Sequence, residues 1–300
     1  MRSSGRAAQG YSAKNLTSER GDGVQERHKI FVRAHSSHIS SDPWNQSQAA
    51  KWPNSALIFD TETRIDPTQK LTFGCFRRYE LRQNKYSCVE EGLFFADKLG
   101  RPDRRVLERY VDNRLNVPET ETFPPQLKLK SMYLDFFLRQ YFWGAVRRGD
   151  LIVGFNLPFD LSRLAAKYTN AKNNGWSLVL SNRTSRKTGE TETDIERPRI
   201  VVTSINSKMA FFKLSSKWRP KEWRNEPRFL DLRTLTFALR NVGYSLSTAC
   251  KAFGVPGKLS HTPTGDVTTK EIKYCREDVA ATGRLLNAVK VEFDRHPLDL

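Results

Sequence analysis

The chain has 300 residues, room for one large domain or two small ones with a buried core. It carries 50 Lys and Arg against 33 Asp and Glu, a formal charge of +17, which attracts polyanions and puts nucleic acid ahead of a membrane surface as the partner to test. The 4 cysteines, Cys75, Cys88, Cys250 and Cys275, lack metal-ligand spacing, which argues against a disulfide scaffold or a zinc module and fits a reducing intracellular compartment; no apolar run nears the roughly 18 residues of a membrane helix, so no membrane partner is expected.

The opening segment MRSSGRAAQGYSAKNLTSER has no apolar centre for a secretory signal. It is rich in Arg and Ser and free of acid until Glu19, so residues 1–53 read as a flexible polar tail, with an organellar transit peptide as the alternative. From residue 54 onward the pattern is that of one folded domain. SALIFD (55–60), KLTFGCFRRYE (70–80) and NKYSCVEEGLFF (84–95) have strand patterning and short connections, which predicts an antiparallel meander. Residues 101–130 are charged and hold Pro102, Pro118, Pro124 and Pro125, which reads as an insertion or loop. Lys130 to Arg148 follows as an aromatic amphipathic helix, with Tyr133, Phe136, Phe137, Tyr141 and Val146 as core candidates.

LIVGFN (151–156) predicts a buried strand, and Pro158 opens a helix at a position where proline is tolerated. WSLVLS, RIVVTSI and AFFKL within 176–214 are strand-like and surround a polar hairpin; a second insertion is expected near 181–228. FLDLRTL (229–235) predicts another strand, followed by two helical stretches. In the last helix Thr268 and Glu271 match a capping box, and Ile272, Cys275, Val279, Thr282, Leu286 and Val289 recur at three- and four-residue steps. The fold class expected is α/β, a mixed sheet made of an antiparallel meander plus parallel strands and flanked by helices. HPLDL stands directly after this helix, which leaves room for a further C-terminal region.

Three segments place acids where apolar residues would otherwise stand. In Phe59-Asp60-Thr61-Glu62-Thr63 the two acids share one strand face, where they repel unless they share a proton or a cation; hard oxygen donors suit magnesium or manganese. Alone, such a pair is most often a solvated strand end. Asn156-Leu157-Pro158-Phe159-Asp160 sets Asp160 in the first turn of a helix, where the helix dipole favours an acid in any case. Tyr274 and Asp278, four residues apart, share one face of the final helix, which is otherwise an ordinary amphipathic boundary.

Taken in order, these three motifs resemble the DEDD (DnaQ-like) superfamily of 3′–5′ exonucleases on the ribonuclease H-like fold. Tyr274 matches the tyrosine (DEDDy) branch, which includes proofreading domains of DNA polymerases; the histidine branch expects His where Lys273 stands. The resemblance spans most of 55–293, although its motifs occupy only a small part of it. It implies a metal site of Asp60, Glu62, Asp160 and Asp278 holding two Mg2+ or Mn2+ ions, with Tyr274 orienting the attacking water. It further implies that Asn156 and Phe159, with Thr61 and Thr63, meet the terminal nucleotide, and that Asp231 is structural rather than a ligand. Two such ions can activate water and hold the leaving oxygen in phosphodiester hydrolysis.

Lys and Arg at 208, 213, 217, 219, 221, 224 and 228 surround Trp218 and Trp223, a composition suited to binding single strands; Lys217, Trp218 and Arg219 are the candidates there. His261 has no partner at ligand spacing and reads as structural. The expected partner is single-stranded nucleic acid, DNA ahead of RNA, and a polymerase domain in a longer polypeptide. The competing readings are a non-catalytic binding module on the same fold, an RNA-directed exonuclease and another ribonuclease H-like nuclease.

Overall fold

The computed structural model describes residues 52–112, 128–172, 175–184, 187–194, 197–215, 228–258 and 260–295. Residues 1–51 of the expected tail, and Lys217, Trp218 and Arg219, lie outside the described residues.

The apolar and alternating runs form a six-stranded sheet. Its order is β12 (Arg228–Asp231), β5 (Leu151–Gly154), β1 (Ser55–Thr63), β2 (Leu71–Arg82), β3 (Lys85–Phe95) and β4 (Leu129–Tyr133). β1, β2 and β3 make the antiparallel meander, β5 and β12 run parallel to β1, and β4 runs parallel to β3. The mixed sheet flanked by helices is therefore present. A second, antiparallel sheet has the order β11 (Met209–Leu214), β10 (Ile200–Asn206), β7 (Gly175–Val179) and β6 (Lys167–Ala171). A short hairpin of β8 (Asn182–Thr184) and β9 (Thr191–Thr193) completes the strands.

β1 is buried on both faces because each parity of its side chains meets a different core. Ala56 and Ile58 pack with α1 (Arg101–Asp112), α5 (Leu232–Arg240), α6 (Leu246–Ala252) and α7 (Thr269–Asp294). Leu57 and Phe59 pack with a second helical layer, α2 (Leu134–Phe136), a π-helical turn (Phe137–Phe142), α3 (Trp143–Arg148) and α4 (Leu157–Leu164), and with the second sheet. Helix α7 is tied down by a buried ionic group: Arg276 donates to Glu91 of β3 at 2.7 and 2.9 Å, and Arg77 of β2 donates to the same carboxylate at 3.1 Å. Removing one partner of such a group strands a buried charge, at a cost of about 3–5 kcal/mol.

Three expectations are corrected. Residues 101–112 are not a loop but α1: Pro102 sits in the first turn, where it costs no hydrogen bond, and Leu107 and Tyr110 reach the core. The helix expected from Lys130 begins at Leu134, because Leu129–Tyr133 is drawn out as a strand against the open edge of β3; Tyr133 and Phe136 are accordingly 46 % exposed rather than core. The strand expected through Leu235 stops at Asp231, whose carboxylate accepts from Thr234 N and caps α5. No helix among the described residues is long and apolar enough to cross a membrane.

Candidate metal centre

Pairing of β1 with β5 ends at Ile58, opposite Val153, whereas pairing with β2 continues to Thr63. The last turns of β1 therefore offer backbone groups on one side, and α4 fills that gap. Thr61 donates to Asp160 Oδ1 through its amide at 3.2 Å and its hydroxyl at 2.7 Å. Thr61 thus serves the second acid from one face of β1, while Asp60 and Glu62 share the opposite face, toward α7. Thr63 follows a register shift at the strand end and is partly buried.

The entry to α4 is held from an unexpected quarter. Asn156 adopts the left-handed conformation, φ 74°, uncommon for a residue other than glycine. Asp231, buried at the end of β12, accepts from the amides of Asn156 and Leu157 at 2.8 and 3.1 Å. Those are orphan donors at a helix start, and the acid that satisfies them lies 75 residues away. Asp231 thus caps the starts of both α4 and α5. Phe159 lies one residue before Asp160, with the Arg163 guanidinium 4.9 Å from its ring centre.

On α7, Tyr274, Cys275 and Asp278 lie on the face turned to β1. The Cys275 thiol is 3.8 Å from Asp60 Oδ2 and 3.9 Å from its carbonyl oxygen. Lys258, in the loop before α7, donates to Asp278 Oδ2 at 2.8 Å and to the Tyr274 hydroxyl, and sits 4.5 Å from the Tyr274 ring centre. Asp278 Oδ1 is buried and accepts no hydrogen bond. The capping box is only half formed: Thr268 accepts from Glu271 N, but the Glu271 carboxylate turns to Thr264 N at 2.7 Å and to His261 Nε2 at 3.0 Å. The Thr264 bonds pin the loop that follows Lys258 onto α7.

Burial among like charges raises each of these acids above its ordinary range. Burial, then the charge of Asp278, pushes Asp60 up to about 8. Burial, then Asp60 and Asp278, pushes Glu62 up to about 9. Asp160 is raised well above the ordinary range by burial and by Asp60. Asp278 is raised by burial, against the pull of Lys258. Lys258 is held charged despite its own burial, because Asp278 lies beside it. Burial also raises Tyr274, so its hydroxyl keeps its proton.

Donor atoms of Asp60, Glu62 and Cys275 lie within 4.8 Å of one another and could hold a cation. Burial lifts the Cys275 thiol well above its usual range, so the hard ligands of the group are the two carboxylates. Asp160 and Asp278 stand outside that tight cluster but act on it electrostatically. The donor set fits a divalent cation on two grounds: carboxylates that repel, and the orphaned Asp278 Oδ1. Lys258 was invisible to sequence reasoning, because a lone Lys 20 residues before Asp278 carries no spacing signal.

No family model and no curated protein matches the chain. Among solved structures it is similar to Phi29 DNA polymerase complexed with single-stranded DNA, at 10% sequence identity and a TM-score of 0.30. The match covers 81% of this chain and 32% of that one, so the chain spans about a third of the polymerase's length. The likeness is too distant to carry function.

Proposed function

We propose that the chain is a metal-dependent 3′–5′ exonuclease of the tyrosine DEDD kind, on a ribonuclease H-like fold, that hydrolyses phosphodiester bonds at the 3′ end of single-stranded DNA, with RNA as the second substrate class. The observation that supports it most is convergence. The end of β1, the first turn of α4 and the first half of α7, spread over more than 200 residues of sequence, carry Asp60, Glu62, Asp160, Asp278 and Tyr274 around one acidic centre.

In this reading Asp60, Glu62, Asp160 and Asp278 would hold two Mg2+ or Mn2+ ions. Bound there, the ions supply an activated water and offset charge on the phosphate and the leaving oxygen. The chain's own groups do the rest. The protonated Tyr274 hydroxyl orients the water, and Lys258 fixes that hydroxyl and Asp278 together. Thr61 aims Asp160, and Asp231 fixes the Asn156 turn from which Phe159 reaches the terminal nucleotide.

The test is release of mononucleotides from the 3′ end of a labelled single strand in Mg2+ or Mn2+, with matched DNA and RNA. Asp278→Ala and Asp60→Ala should each lower the rate by about 100-fold or more, since positioned electrostatics supplies most of such catalysis. Persistence of intact strand with the wild-type chain, or equal degradation by the variants, overturns the reading and leaves a binding module.

A further inference from the structure

Beside the acidic centre lies an open cleft of about 1560 Å³, of which the mechanism above uses only Phe159. Phe159 and Arg163 of α4 line it, as do Tyr168 and Trp176 of the second sheet. That wall has an odd composition. In the β6–β7 pairing Tyr168 stands beside Leu178, and Trp176 lies on the same strand face as Leu178. Leu178 is buried in the second core, at 3 % exposure. Tyr168 and Trp176 carry the same core-facing parity past the edge of the core, and are 69 % and 47 % exposed. Their rings meet edge to face, with centres 5.7 Å apart. Two large aromatics on the inward face of a sheet, yet open to solvent, form an angled and partly apolar surface that no described residue covers.

The charges that line it are mostly basic. Lys70, Lys98 and Lys167 line the cleft, are exposed, and have no ion pair among the described residues. The acids there are Asp97 and Asp135; Asp97 accepts from the Asp135 amide, and Asp135 is paired with Arg139 at 2.6 Å. Aromatic faces flanked by unpaired lysines suit a chain of bases on a phosphate backbone.

We infer that this cleft is the track for the single strand upstream of its 3′ end, and that Tyr168 and Trp176 form a platform on which one of its bases stacks. The inference rests on the exonuclease reading for direction, since Phe159 links the cleft to Asp160. Stacking itself does not depend on catalysis, and the two ideas can fail separately. The simpler role of the pair, a diagonal cross-strand contact that steadies the hairpin, does not account for its exposure or for the lysines.

The test uses the full chain and oligothymidylates, one of about 12 nucleotides, long enough to cross such a track, and one dinucleotide confined to the acidic centre. In EDTA the longer strand should quench tryptophan fluorescence, and the difference between wild type and Trp176→Phe assigns the quenching to Trp176. Tyr168→Ala combined with Trp176→Ala should weaken binding of the longer strand by about tenfold or more. Trp176→Phe, which keeps a ring, should lose much less. With Mg2+, wild type should prefer the longer strand in kcat/KM, and the double variant should lose that preference while melting cooperatively. Tyr133→Ala, an exposed aromatic elsewhere, should keep it. If wild type degrades the longer strand and the double variant degrades it with the same KM, the platform is overturned and the exonuclease reading stands. If wild type binds through these rings but hydrolyses nothing, the platform stands and the exonuclease reading falls. Equal affinity of both chains for the longer strand overturns the platform.

Discussion

Lys258 holds Asp278 at 2.8 Å and donates to the Tyr274 hydroxyl, so one ammonium couples two groups a helical turn apart on α7. The carboxylate keeps its second oxygen buried and unpartnered. A cation from the chain therefore covers half of this acid, and the other half is left for a ligand. Replacing Lys258 by Ala should lower the exonuclease rate by about 10- to 100-fold, as expected for a group that orients a metal ligand and a catalytic hydroxyl. Single-turnover rates on a 3′-labelled strand check this, with circular dichroism to show that the fold persists. An unchanged rate would remove Lys258 from the machinery.

The acidic centre ties stability to pH in the reverse of the usual sense. Asp60 and Glu62 bind their protons with pKa values raised to about 8 and about 9, from ordinary values of 3.8 and 4.5. Between those limits the folded chain holds protons that the unfolded chain releases, so stability falls as pH rises from about 4 toward 9. A divalent cation competes with these protons and stabilises the charged form. In EDTA the melting temperature should thus drop between pH 5 and pH 9, and Mg2+ or Mn2+ should raise it more at pH 9 than at pH 5. A metal effect that is absent, or larger in acid, contradicts the assignment of these carboxylates as ligands.

Gly74 of β2 pairs with Thr61, and a Cβ there would lie 2.5 Å from the Asp60 carbonyl oxygen and collide with the buried Phe94 ring. Neither neighbour is a flexible chain end. Gly74→Ala should destabilise the chain by about 1–3 kcal/mol, the usual cost of overpacking, and lower activity by displacing Asp60. Urea unfolding and the nuclease rate measure the two effects. If stability falls while the rate is kept, β1 yields without moving its acid.

Asp231 makes a further prediction. Its Oδ1 accepts the amides of Asn156 and Leu157, and its Oδ2 accepts the amide and hydroxyl of Thr234. Asp231→Ala leaves buried donors without an acceptor, at a cost of about 1–3 kcal/mol, and frees the left-handed turn that aims α4. Activity should fall through KM more than through the chemical step, because Asn156 and Phe159 are the groups displaced. A pure kcat defect would instead show that the freed α4 carries Asp160 out of place.

Local patterns were legible wherever one element decides its own form. The two-residue period of β1 put Asp60 and Glu62 on one face, and the helical period of α7 put Tyr274 and Asp278 together, because those repeats follow from backbone geometry alone. Partner choice was not legible. Residues 129–133 are a strand only because β3 offers an open edge, and Tyr133 and Phe136 are exposed for the same reason. Thr61, Asp231 and Lys258 find their acids and amides through contacts 99, 75 and 20 residues apart in sequence. The Tyr168–Trp176 wall also depends on where the second core ends. Hydrophobic periodicity is a property of a short segment, whereas satisfying a buried polar group depends on which distant segment closes over it. The sequence determined the acids and the elements that carry them; only the tertiary structure decided what holds each acid in place.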